Sequence, residues 1–344
     1  MAKKKTTIAD IAKTLGVSKT TVSLVLNGKA RQTQLSKEME KRVHDYIREI
    51  GYVPNQYAQG LRSGKTRTIG MLVEDISDSF FSAIARQIEE RAYQMGYKIV
   101  YSSTENETRK AKELLEVYKN NKLDGYIIAP PAGIEDEVKE LMAEGYPVVF
   151  FDRTLPGIHT DSVMVDNYNS AYEAMKHLIN SGYKHIAFMT LSSDQVQMLE
   201  RERGYLQAIS ENNAAYIIKR VKYHDDKSHA IGEIEEFIAS HAYIDAIFFA
   251  TNYIAENGLE AIGNLGLQIP NDMGVVVFDD NNMFRLFTPS ITAIAQPISE
   301  IAEHVINLML ERLTTVAVHE VVDFQTVVLK SNLQIRKSSI KSES

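Results

Sequence analysis

The sequence contains no cysteine. Disulfide frameworks and thiolate metal sites are therefore excluded, and the composition is compatible with a reducing compartment. No membrane-spanning run of apolar residues is present. The basic start, Met1 to Thr6, is followed by an amphipathic pattern rather than the apolar stretch of a signal peptide, so a cytoplasmic location with no membrane partner is expected. Catalytic signatures are missing as well. There is no phosphate-binding loop, no nucleophile elbow and no paired-histidine metal motif, and the nine histidines are scattered. Glu74-Asp75 offers carboxylates but no identifiable partner for acid–base work. The expectation is a protein that is not an enzyme and that needs no cofactor and no metal.

What is present is divided unevenly along the chain. At 344 residues, two or three domains are expected. Residues 1–67 hold 14 Lys+Arg against 5 Asp+Glu, a net charge of +9, whereas the remainder holds 24 against 40, a net charge of −16. A basic end on an acidic body suggests a polyanion-binding module joined to something that need not touch the polyanion.

The basic end reads as three helices. Thr7 is a candidate N-cap with Asp10 three residues on, and Ile8, Ile11, Ala12 and Leu15 share one face. Gly16 suits the left-handed C′ position that ends a helix. Ser18 then caps a second helix to about Leu26, with Val22, Val25 and Leu26 inward and Lys19, Thr20 and Ser23 outward. Ala12, Gly16 and Val22 have the small–turn–apolar spacing of a helix-turn-helix. Short polar residues at the start of the second helix suit major-groove edges and phosphates. A third helix, Ser36 to Ile50, carries Met39, Val43, Tyr46, Ile47 and Ile50 on its apolar face.

From Thr68 onward, apolar runs alternate with helical patterns. Strands are expected at 68–73, 98–102, 125–129 and 148–151, and again at 185–190, 219–223, 246–250 and 274–278, with helices between them. Such alternation gives parallel sheets covered by helices on both faces. Two series of this kind make a two-lobed body with a cleft, and ligands in such sheets sit beyond the carboxyl ends of the strands. Several strand ends carry groups that a sugar needs. Asp75, Asp152, Asn252 and Asp279 follow strands, Phe80 and Phe81 open a helix, and Arg201 precedes Gly204-Tyr205. Carboxylates, an amide and a guanidinium can hold hydroxyls in pairs while an aromatic face covers the ring's C–H side.

The residues Thr7 to Ala12, Gly16 to Asn27 and Gly51 to Asn55 together resemble the LacI/GalR family of transcription regulators. The resemblance is dense over about fifty residues and extends more sparsely over nearly the whole chain. It implies that Lys19, Thr20 and Leu24 read bases and that Thr7, Ser18, Ser23 and Asn27 hold phosphates. Leu24 departs from the long polar residue frequent there; a leucine can meet a thymine methyl but cannot grip a guanine. The segment 54–66 is polar and basic and, read alone, is a flexible linker. The resemblance implies a hinge helix that forms on DNA, with Asn55, Ala58 and Leu61 at the minor groove and Leu61 as the wedge. It also implies that Asp75, Phe80, Phe81, Asp152, Arg201, Asn252 and Asp279 line an effector pocket. Tyr253 departs from the acidic residue usual after the asparagine.

The expected architecture is thus an all-α helix-turn-helix head (1–53), a hinge (54–66), and an α/β body of two doubly wound parallel sheets like a periplasmic binding protein. The first lobe is expected at 67–166 and 294–317, and the second at 167–293 and 318–337. The expected function is a repressor whose affinity for a near-palindromic double-stranded DNA operator is controlled by a small molecule, a sugar or sugar derivative. The expected assembly is a homodimer, because the polar tail 338–344 carries no leucine heptads that would drive a tetramer.

Overall fold

The computed structural model describes residues 6–26, 30, 35–52, 65–222, 226–318 and 323–341. The chain forms two compact units, Met1–Thr66 and Arg67–Ser344.

The first unit is built from α1 (Ile8–Leu15), α2 (Lys19–Leu26) and α3 (Lys37–Glu49). Thr7 and Asp10 form a reciprocal capping box, and Gly16 ends α1 at φ 65°. Glycine adopts that left-handed conformation without the cost a Cβ would add. Ile11, Ala12, Leu15, Val22, Val25, Ala30 and Val43 form the core. Arg42 donates to the Leu15 carbonyl at 3.1 Å and so satisfies one of the carbonyls that the end of α1 leaves open. Ser36 caps α3, and Met39, Tyr46 and Ile47 pack against the core, but Ile50 ends the helix with over a third of its surface in water. Ser23, expected on the outward face of α2, is buried.

The second unit contains two six-stranded sheets. The first comprises β1 (Thr68–Val73), β2 (Lys98–Ser103), β3 (Gly125–Ile128), β4 (Val148–Phe151), β5 (Asp161–Val165) and β11 (Thr326–Leu329), in the spatial order β11-β5-β4-β3-β1-β2, all parallel. Side-chain alternation splits its residues between two cores. Ile69, Met71, Val73, Ile127, Val149 and Phe151 face one side, and Leu72, Tyr126, Ile128, Val148 and Phe150 face the other. Helices α4 (Ser79–Gln94) and α12 (Ile298–Val318) cover the first side; α5 (Thr108–Asn120) and α6 (Glu135–Ala143) cover the second.

The second sheet comprises β6 (Ile186–Leu191), β7 (Ile217–Val221), β8 (Ala246–Phe249), β9 (Gly274–Phe278), β10 (Thr292–Ala295) and β12 (Asn332–Gln334). Its order is β12-β10-β9-β8-β6-β7, parallel except for the β10–β12 pair. Around it lie α7 (Asn167–Asn180), α8 (Val196–Glu211), α9 (Lys227–Ser240) and α10 (Asn252–Asn264), with the short α11 (Asn282–Leu286) at one strand end.

Four strands lie where the sequence reading had none: β5, β10, β11 and β12. They also move the lobe boundaries. Residues 326–329 pair with β5 in the first lobe, not in the second as the 318–337 boundary expected, and residues 294 and 295 belong to β10 in the second lobe. The chain therefore crosses between lobes after β5, after β10 and after β11. The start of β5 was illegible because it is polar. Asp161 is fully buried, and it is tolerated there because Arg312 grips it with two bonds of 2.6 and 3.0 Å while the Gln325 amide donates to it at 2.8 Å.

Candidate functional site

In the head, Lys19 and Thr20 are exposed at the start of α2 and Leu24 is half-buried one turn later. Exposed Ser18 accepts from the Thr21 amide at 3.0 Å, and its hydroxyl meets that of Thr21 at 2.9 Å. Thr7 is exposed too, but its amide and hydroxyl both donate to Asp10, at 2.9 and 2.6 Å. Ser23 lies one turn after Lys19 on α2 but is buried, which corrects its expected exposed position. Asn27, Asn55, Ala58 and Leu61 lie outside the described residues.

In the body, the carboxyl ends of both sheets carry a dense polar network. Asp152 and Asp279 follow the strands β4 and β9, which hold matching places in the two sheets, and both adopt left-handed backbone at φ 66° and 77°. A non-glycine residue held there costs about 1–3 kcal/mol and persists only where its surroundings impose it, a pattern frequent at functional sites. Each aspartate lies beside a buried arginine. Arg201 donates to Asn167 Oδ1 at 2.9 Å and to the Ala250 carbonyl at 2.7 Å, reaches Asp279 at 3.4 Å, and sits over the Phe278 ring with its Cζ 3.5 Å from the ring centre. Arg153 donates to Glu74 at 2.6 Å and to Asn106 at 3.0 Å, with Asp152 Oδ2 3.1 Å from its Nε. Arg153 is thus the partner that the sequence reading could not identify for Glu74, and the pair is an ion pair rather than an acid–base couple.

Hydrogen bonds join the lobes across the cleft, among them a long one of 3.5 Å from Asn252 to the Ser79 hydroxyl. Asn252 donates to Asp78 at 2.7 Å, and Gln195 donates to Asn106 at 3.0 Å. Asp78 also caps α4 by accepting from the Phe80 amide at 2.8 Å. Burial raises the Asp78 carboxyl above its ordinary value, against the lowering effect of its bond to Asn252. Asp152 is raised for the same reason, with Arg153 and Arg201 opposing. Burial pushes Asp279 up to about 6, opposed by Arg201 and by the Gln296 amide that donates to it.

Asp75 is half-buried at the cleft, and its carboxylate accepts from the Ser77 amide and hydroxyl, both at 2.8 Å. Phe80 lines a cleft cavity, whereas Phe81 is core, edge-on to Phe80 at 5.0 Å and to Phe151 at 6.1 Å. Thr251 supplies the cap of α10, so no acidic residue is needed at Tyr253, which lines a cavity instead. Sequence reasoning ranked Arg153, beside Asp152, as a lesser candidate and did not place Glu74, Asp78, Asn106, Gln195 or Gln296 in the cleft. Asp78 and Gln195, polar residues directly before helical runs, and Glu74, directly after a strand, carried local signals. Among the described residues no group of three or more His, Asp or Glu could hold a metal ion, and no helix is long and apolar enough to cross a membrane.

The helix-turn-helix and the two-lobed cleft define a class: a DNA-binding head on a periplasmic-binding-protein-like body. Residues 7–55 match the bacterial regulatory proteins of the lacI family, and residues 175–339 match the periplasmic binding protein-like domain. The chain is 30% identical to catabolite control protein A of Priestia megaterium, over 97% of this chain and 99% of that one. Among solved structures it is similar to the lac repressor dimer bound to operator and the anti-inducer ONPF, with a TM-score of 0.82 at 22% identity over 98% of this chain and 100% of that one. It is also similar to a periplasmic binding protein/LacI transcriptional regulator from Alkaliphilus metalliredigens complexed with D-xylulofuranose. That likeness has a TM-score of 0.68 at 25% identity over 79% of this chain and 98% of that one. The chain belongs to the lacI family of bacterial regulatory proteins, which are transcription regulators rather than enzymes.

Proposed function

We propose that this regulator is a repressor that pairs as a homodimer on a near-palindromic operator and releases or tightens its grip when a saccharide binds between the lobes. The observation that carries the reading is the joined pair of features on one chain. The head presents Lys19 and Thr20 at the start of its second helix, and the cleft is closed by Asp78–Asn252 and Asn106–Gln195. A ligand that replaces or reinforces those two bonds changes how the lobes sit, and coupling of about 1–3 kcal/mol is enough to switch a DNA site. The operator-bound dimer and the sugar-bound regulator among the similar structures support the same partners.

In this reading Lys19, Thr20 and Leu24 face base edges, and Thr7, Ser18, Asn27 and Asn55 lie along the backbone, with Ala58 and Leu61 in the hinge segment. Asp75, Phe80, Asp152, Arg201, Asn252 and Asp279 form or support the saccharide site. Removing residues 1–66 tests the division of labour. The truncated chain, which keeps its own cores, is expected to stay folded by circular dichroism and to lose operator binding in a gel shift. Tight operator binding by the truncated chain would refute the assignment.

A further inference from the structure

Two cavities open between the lobes. The larger, 620 Å³, is walled by Asp75, Asp78, Asn252, Tyr253 and Asn257 among others, and the smaller, 330 Å³, by Phe80, Asp279 and Gln296. Ser79, Asn281 and Asn282 belong to both walls, so the two chambers adjoin. Each alone falls within the range of small-molecule sites, about 300–1,000 Å³.

A wall residue of the smaller chamber, Gln296, carries an unused acceptor. Gln296 is 8% exposed, its amide nitrogen donates to Asp279, and its Oε1 is buried with no partner. A buried acceptor left open costs free energy, and this one is held in place by the bond its own amide makes. It calls for a donor such as a hydroxyl.

The charges set the ligand's class. Glu74, Asp75 and Asp78 line the larger chamber, and Asp279 and Asp280 line the smaller. The buried guanidiniums line neither chamber: Arg153 is ion-paired with Glu74 and Asp152, although its Nε makes no hydrogen bond, and Arg201 is held by Asn167, the Ala250 carbonyl and Asp279. The cations in the two walls, Lys222, Lys227 and Arg285, are exposed to water, and Lys227 pairs with Glu260 at 2.9 Å. A phosphate or carboxylate entering this cleft meets carboxylates without a desolvated cation to receive it. Hydroxyls, which donate to carboxylates, meet partners.

We infer that the effector is an uncharged saccharide of at least two rings. One ring sits against Phe80, Asp279 and Gln296, and the next occupies the outer chamber beside Tyr253 and Asn257. The inference rests on the saccharide reading above and narrows it.

Calorimetry on the full-length protein tests it with a panel of neutral monosaccharides, neutral disaccharides built from them, and the corresponding sugar phosphates and uronic acids. The tightest binder is expected to be a neutral disaccharide, roughly ten-fold tighter than its own monosaccharide unit, as about 1.4 kcal/mol from the second ring would give. Tyr253→Ala is expected to reduce that advantage severalfold and to leave monosaccharide affinity unchanged. A monosaccharide, a sugar phosphate or a uronate as tightest binder would overturn the inference while leaving the saccharide reading intact. If no member of the panel binds, the saccharide reading falls and the inference with it.

Discussion

Asp279 is a carboxyl whose charge the fold disfavours, and replacing it by asparagine isolates that cost. Its side chain is 11% exposed, and burial raises it from 3.8 to about 6 despite Arg201 and Gln296. A carboxyl whose folded value is raised contributes stability that is fully present below its unfolded value and is lost as pH rises through its folded value. For Asp279 that window runs from below pH 4 to above pH 6. Linkage puts the whole loss at about 3 kcal/mol, of which about 1.4 kcal/mol falls between pH 5 and pH 8. Asp279→Asn keeps the shape of the protonated form and does not titrate. Urea unfolding of both proteins across pH 5–8 is therefore expected to show the variant gaining on the wild type by that order as pH rises. Parallel pH dependence in the two proteins would mean that Asp279 is not held above its ordinary value, and the picture of a desolvated acidic cleft would fail. The same group links pH to the ligand. Hydroxyl donors favour the ionised carboxylate, so below pH 6 a saccharide must expel a proton to bind. Affinity in the wild type is expected to rise with pH through 6 and to lose that dependence in Asp279→Asn.

Three further substitutions probe other parts of the account. Arg201→Leu leaves Asn167 Oδ1 and the Ala250 carbonyl without this donor and Asp279 without its ion-pair partner, held only by the Gln296 amide; a loss of about 3–5 kcal/mol in unfolding free energy is expected, and a loss below 1 kcal/mol would show that the guanidinium does not hold the cleft together. A Cβ at Gly204 would run into the Tyr168 carbonyl and lie 2.9 Å from Ala171 Cβ, so Gly204→Ala is expected to cost about 1–3 kcal/mol by forcing α7 and α8 apart, and a neutral substitution by thermal melting would contradict that packing. Lys19→Ala is expected to weaken operator binding with little change in saccharide affinity; unchanged operator affinity at fixed salt would remove Lys19 from the interface.

How much of this was readable beforehand follows from where each signal resides. The three head helices were legible because capping residues, Gly16 and the 3.6-residue apolar period are local properties. The two α/β series were legible for the same reason, since strands such as Gly274–Phe278 are continuous apolar runs buried on both faces. The illegible parts depend on distant partners. Asp161 reads as a loop residue until Arg312 is placed on it, and Arg153 reads as a surface charge until Glu74, 79 positions away, is brought beside it. The second lobe's closing strand, Asn332–Gln334, is three residues long and too short for any periodicity. Ser23 looked outward because it is polar, yet it is buried in the head. The ring of strand-end residues was found because a polar residue directly after an apolar run is itself a local pattern. Gln296 was missed because it lies on a crossing between lobes, where no such pattern exists.

The central claim is that one chain couples a saccharide in the cleft to a DNA site at the head. Its most direct test is to select a preferred operator from random DNA with the full-length protein, and then to measure operator affinity at fixed salt with and without the tightest-binding saccharide. The account predicts a near-palindromic site and a change in affinity of roughly ten-fold or more, consistent with coupling above 1 kcal/mol. A protein that binds DNA without sequence preference, or whose operator affinity ignores the saccharide it binds, would contradict it.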